Sequence, residues 1–184
     1  YALEYASKEL QANKEVVMLA VKNNGSALEY ASEELKGERE VALAAVKQYY
    51  GALKYASEEL QADKEVVLEM VLAAVKNATK QYVVQLNTLE YVSEELKDDK
   101  EIIEAFKEVA LLAVSKNGYK LSDAGEELRA DREVVLTAVK EIGFALEYAS
   151  EELRADREVV LAAVKKNGSA LEYADDSLKN DPEF

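Results

Sequence analysis

A leucine closing a YASEEL-like string recurs at Leu10, Leu35, Leu60, Leu96, Leu128, Leu153 and Leu178, in steps of 25, 25, 36, 32, 25 and 25 residues. Self-similarity at this period marks a repeat array, in which one small supersecondary unit buries its apolar face only against the next copy. This rules out most folds at once. It also bears on function, because catalysis needs a unique constellation and this chain presents the same residues seven times.

Repeat six serves as the type. Leu146, Ala149 and Leu153 fall at i, i+3 and i+7, one stripe of a first helix, with Glu147, Glu151 and Glu152 off that stripe. Val159 to Val164 is apolar on every side, which predicts a second helix buried around its circumference. Three residues after the successive leucines stand Asn13, Glu38, Asp63, Asp99, Asp131, Asp156 and Asp181, read as N-caps of the second helices. The acid two positions further on, as in Glu40, Glu65 or Glu158, favours the positive end of the helix dipole. Lys22, Lys47, Lys76, Lys140 and Lys165 fall in the last turn, and Gly25, Gly118, Gly143 and Gly168 are read as left-handed helix ends. Ser26 with Glu29, and Ser169 with Glu172, then read as capping boxes that restart the chain.

The prediction is an all-α fold, an α/α solenoid of helix-turn-helix repeats of about 25 residues, with seven first helices and six complete second helices. It forms a single repeat-array domain over 1–184, with repeats starting near 1, 26, 51, 87, 119, 144 and 169, and is expected to be part of a longer array. Two repeats carry helix-lengthening insertions, within 68–88 and 104–110. Additions near four or seven residues are close to whole helical turns, so the second helices of repeats three and four are expected to lengthen without rotating their apolar faces. The stretch Ala78 to Gln85 lacks the glycine turn and is expected to extend the first helix of repeat four or to protrude as a loop.

The string ALEYASEELRADREVVLAAVKKNGSALEYA at 145–174 resembles the consensus of a tandem helical repeat family catalogued as a domain of unknown function, number 4116. The resemblance covers nearly the whole chain and implies bacterial effector-like and protist or algal relatives. No activity is attached to that family, so it implies no catalytic residue. The algal members point to an organelle assembly, such as one bordering a photosynthetic complex, as a setting for such a subunit. Asp123 in place of the tyrosine, Gly125 in place of the serine and the insertions depart from the pattern.

Composition sharpens the functional reading. A net charge of -14 argues against nucleic acid, whose phosphates require a concentrated basic face. No apolar run spans a bilayer, so direct membrane insertion is not expected, and a cytoplasmic or organellar setting is. With no His and no Cys, triad and thiol nucleophile chemistry is excluded. The carboxylate pair Glu151-Glu152 recurs in other repeats and its members do not face one another on a helix, so no enzyme activity, cofactor or metal site is expected. The tyrosine column Tyr5, Tyr30, Tyr55, Tyr91, Tyr148 and Tyr173 reads as packing.

What remains is the set of residues that repetition does not explain: Tyr49, Tyr50, Tyr82, Val83, Val84, Phe106, Tyr119, Ile142 and Phe144. Apolar residues gathered at variable turn positions mark a partner-contact surface, or alternatively act as staples under the longer helices. The functional expectation is a protein-binding or scaffolding array within a larger complex. The alternative is an effector-like acidic module gripping a basic protein surface, with a carboxylate-only enzyme a more distant possibility.

Overall fold

A computed structural model describes residues 2–80 and 92–180. The described chain is helical throughout and contains no strand. Long helices alternate with one-turn helices: α1 (Lys8–Gln11), α2 (Lys14–Asn23), α3 (Glu33–Lys36), α4 (Arg39–Gln48), α5 (Glu58–Gln61), α6 (Lys64–Lys80), α7 (Glu94–Lys97), α8 (Lys100–Lys116), α9 (Glu126–Arg129), α10 (Arg132–Glu141), α11 (Glu151–Arg154), α12 (Arg157–Lys166) and α13 (Asp176–Lys179). Before α3, α5, α9, α11 and α13 runs a six-residue 3-10 helix: Gly25–Tyr30, Tyr50–Tyr55, Gly118–Asp123, Gly143–Tyr148 and Gly168–Tyr173.

The expected first helix is therefore two elements. In repeat six the 3-10 helix ends at Tyr148, and Ala149 and Ser150 are extended, both with ψ 157°, before α11 begins. Ser150 causes the break: its Oγ accepts from Leu153 N–H at 3.3 Å and caps α11, as Ser7, Ser32 and Ser57 cap α1, α3 and α5. Leu146, Ala149 and Leu153 are all buried as the stripe requires, but from separate elements. Ser26 lies inside its 3-10 helix and caps nothing; the cap is Asn24, whose Oδ1 accepts from Ser26 N–H at 3.1 Å.

Three kinds of contact recur between successive repeats. The N-cap backbone N–H of a short helix donates to the end of the preceding short helix: Ser32 to Gln11 O (2.9 Å), Ser57 to Lys36 O (3.1 Å), Ser150 to Arg129 O (2.9 Å) and Asp175 to Arg154 O (2.9 Å). The glycine opening a 3-10 helix presses against the following long helix. A methyl group on Gly25, Gly118 or Gly143 would overlap the carbonyl oxygen of Ala45, Ala138 or Ala163. No described glycine has positive φ, so the left-handed reading of these residues is corrected: they are small because a neighbouring backbone occupies the space of a side chain.

The third contact is a ladder of ion pairs. The basic residue at the start of one long helix meets the cap acid and first-turn acid of the next: Lys14 with Glu38 and Glu40, Arg39 with Asp63 and Glu65, Lys64 with Asp99 and Glu101, Arg132 with Asp156 and Glu158. Asp63, Asp99, Asp131 and Asp156 also accept two backbone N–H bonds each at 2.9–3.2 Å, so they cap as expected. The Lys64 ammonium holds Asp99 below the usual carboxylate range. Burial pushes Asp131 up, but the Val134 N–H and the Lys107 ammonium outweigh it and leave it lowered. Glu38 makes no cap bond; its longer side chain reaches Lys14 instead.

Helices α6 and α8 run 17 residues where α2, α4, α10 and α12 run 10. In α8 the helix starts twice. Lys100-Glu101 opens it and Lys107-Glu108 repeats that pattern seven residues later. Glu101 meets Lys64 of repeat three, whereas Lys107, at 3.0 and 2.9 Å from Asp131 and Glu133, makes the contact with repeat five. The chain forms two compact units whose division falls inside α8, between Ala105 and Phe106.

Within each unit the long helices pack side by side, and the 3-10 helices cover one of their flanks. Leu28, Leu53, Leu121 and Leu146 at the centres of the 3-10 helices are fully buried, each contributing about 1.5–3 kcal/mol by leaving water. The long helices are not buried all round, which corrects the sequence expectation. Val159, Val160 and Ala163 are buried, while Leu161, Ala162 and Val164 are partly exposed. Neighbours on two sides and a 3-10 layer on a third leave the fourth face of a long helix open.

Candidate protein-interaction surfaces

The residues singled out from the sequence occupy different environments. Tyr50 and Phe106 are buried at 4% exposure, so they belong to this chain's own core and offer no surface to a partner. Tyr50 stands where other repeats have the pressed glycine, and its ring lies 5.5 Å from that of Tyr49, which is half-buried. Ile142 and Phe144 are also half-buried, and Tyr119 is 44% exposed. Tyr82, Val83 and Val84 lie outside the described residues.

Tyr119 and Phe144 share one register. Each is the second residue of a 3-10 helix, in repeats five and six, where repeat two has Ser26 and repeat seven Ser169. These 3-10 helices pack side by side, which sets this register beside the tyrosine that ends the next one. Phe144 meets Tyr173 edge-on at 6.3 Å between centroids. Tyr148 is pushed above the ordinary phenol range by desolvation and then by the adjacent Glu147, with Tyr119 adding to it. Tyr173 is raised by desolvation and then by Glu172 and Glu147. Glu147 and Glu172 are exposed, so this edge sets aromatic rings beside carboxylates at the repeat spacing.

A second surface was hidden in the sequence by the all-round apolar pattern of the long helices. Between α10 and α12 the open faces form a groove lined by Lys140, Glu158, Leu161, Ala162, Lys165 and Lys166. A matching groove between α2 and α4 includes Met18, Lys22, Glu40, Leu43, Ala44 and Lys47. Leu19 of α2 and Leu72 of α6 are also exposed, at 73% and 51%. The available signal was a large apolar residue at the fifth position of α2, α4, α6, α10 and α12, namely Met18, Leu43, Leu68, Leu136 and Leu161, all half-buried.

Among the described residues no group of three or more acids is arranged to hold a metal ion, and no helix is long and apolar enough to cross a membrane. The model of a family described as a domain of unknown function (DUF4116) matches residues 1–36, 38–82, 107–154 and 156–184. The chain belongs to this family. No curated protein and no solved structure matches it. Two of the DUF4116 matches begin at the cap residues Glu38 and Asp156, so they start where a long helix starts. A third begins at Lys107, the second start of α8, after an unmatched stretch over 83–106.

Proposed function

We propose that this DUF4116 chain is a non-catalytic protein-binding or scaffolding array, serving as a structural subunit or domain of a larger assembly. The observation that carries the reading is the division of labour among its side chains. Cap acids, first-turn acids and glycines are spent on joining repeats, and what stacking leaves over is exposed aromatic and apolar surface at Tyr119, Leu19 and Leu72. Surplus apolar surface on a well-packed array supports contact with other proteins. The test is recovery of the native protein with its partners under cross-linking, followed by the double variant Tyr119→Ser and Phe144→Ser. A stoichiometric partner lost from the variant is the expected result; a partner retained in full removes these two residues from the contact.

A second reading, an acidic module that grips a basic protein, is favoured by the exposed pairs Glu33-Glu34, Glu58-Glu59, Glu94-Glu95, Glu126-Glu127 and Glu151-Glu152, one each in α3, α5, α7, α9 and α11. Association through them weakens steeply as salt is raised, whereas association through the apolar surfaces does not.

A further inference from the structure

The aromatic and carboxylate side chains along the 3-10 edge of repeats five to seven form a more selective feature than either the net charge or the glutamate pairs. Two equivalent slots lie one repeat apart. Phe144, in ring contact with Tyr173, builds one with Glu172; Tyr119, Tyr148 and Glu147 hold the same registers one repeat earlier, where Tyr119 acts electrostatically on Tyr148. Adjacent repeats place the slots about 10 Å apart, the usual spacing of packed helical elements. A phenol face attracts a cation through its quadrupole, and a neighbouring carboxylate holds the same cation by charge.

The chain contains its own example of such occupancy. In repeat three the residue before the column tyrosine is Lys54 rather than glutamate, and its ammonium lies 4.7 Å from the Tyr55 ring centroid. An ammonium is thus seated on a ring of this column. In repeats six and seven the corresponding residues are Glu147 and Glu172, which bring a carboxylate to the ring and supply no cation of their own.

We propose that these two slots bind a lysine- or arginine-rich segment of a partner protein, with basic side chains recurring at about 10 Å. The occupant follows from charge: the chain carries -14 overall, and the exposed acids beside the rings, Glu147 and Glu172, add to that field locally. The proposal rests on the reading of the chain as a module for a basic partner, and it assigns that partner a specific landing place. A spacing of about 10 Å is met by basic residues three apart in a polyproline II segment, which rises 3.1 Å per residue.

The test is fluorescence anisotropy of labelled octa-arginine with the full chain, with octa-glutamate as the control probe. Tyr148→Ala combined with Tyr173→Ala leaves the charge unchanged and should weaken binding about tenfold, as loss of two cation–aromatic contacts predicts. Glu147→Gln with Glu172→Gln should weaken it comparably, whereas Glu33→Gln with Glu34→Gln, the same charge removed elsewhere, should change it less than about twofold. Lys54→Glu gives repeat three the pairing of repeats six and seven and should tighten binding, a gain that misfolding does not imitate. Equal binding by wild type and the tyrosine double variant would overturn the slots while leaving a diffuse basic-partner reading in place. Absence of octa-arginine binding to the wild-type chain at low salt would overturn both.

Discussion

Gly25, Gly118 and Gly143 open their 3-10 helices in one register, and each is approached by the backbone of the following long helix. Alanine at Gly143 would overlap the Ala163 carbonyl, a backbone atom that no rotamer change can move aside, whereas at Gly37, which has helical backbone, the nearest atom would lie at an ordinary 3.4 Å. Gly143→Ala is therefore expected to destabilise the fold by about 1–3 kcal/mol, the usual cost of forcing a methyl group into a packed site. Gly37→Ala should instead stabilise it by about 0.5 kcal/mol through the unfolded state, as Ala62, Ala130 and Ala155 already stand in that register. Urea denaturation of both variants checks the contrast, and equal effects would show that the glycine is kept for backbone conformation after all. The sequence marked these positions as special but named the wrong cause, because close approach by another repeat leaves no trace in the local string.

Among the long helices, α4 starts least well. Its cap residue Glu38 makes no side-chain bond to the backbone, where Asp63, Asp131 and Asp156 bind two N–H groups each. Helices of ten residues are marginal alone, so a cap has measurable weight. Glu38→Asp should cap α4, adding about 1 kcal/mol and raising the melting temperature. Lys14 also contacts Glu40 at 3.0 Å, so the ladder keeps an anchor at this step if the shorter acid falls out of its reach. Circular dichroism melts decide it, and an unchanged midpoint would mean that Glu38 is already compensated by its ion pair.

For the whole molecule, stability is expected to follow the division into two compact units. Leu146 is fully buried between repeats, and Leu146→Ala should cost about 2–5 kcal/mol, the range for a truncated core leucine. In a repeat array such a loss spreads to neighbours and fades with distance. Hydrogen exchange should therefore show the amides of α10 and α12 losing protection while those of α2 and α4 keep theirs. Uniform loss along the chain would indicate a single cooperative block. The doubled start of α8, with Glu101 engaged by Lys64 and Lys107 engaged by Asp131 and Glu133, lets one helix serve two registers.

The sequence by itself determined the repeat, its helical class, the aspartate caps and the acids beneath them, because these depend on neighbours within about four residues. It also isolated Tyr119 and Phe144 as residues that repetition does not explain. Only the tertiary structure decided that the first helix breaks at Ser150, since the freed N–H of that residue is satisfied by Arg129 of the preceding repeat. Only the tertiary structure placed Tyr50 and Phe106 in the core and left Leu161 partly exposed. An apolar residue reads the same whether a neighbour covers it or not, and in an array that cover is supplied by a residue about 25 positions away.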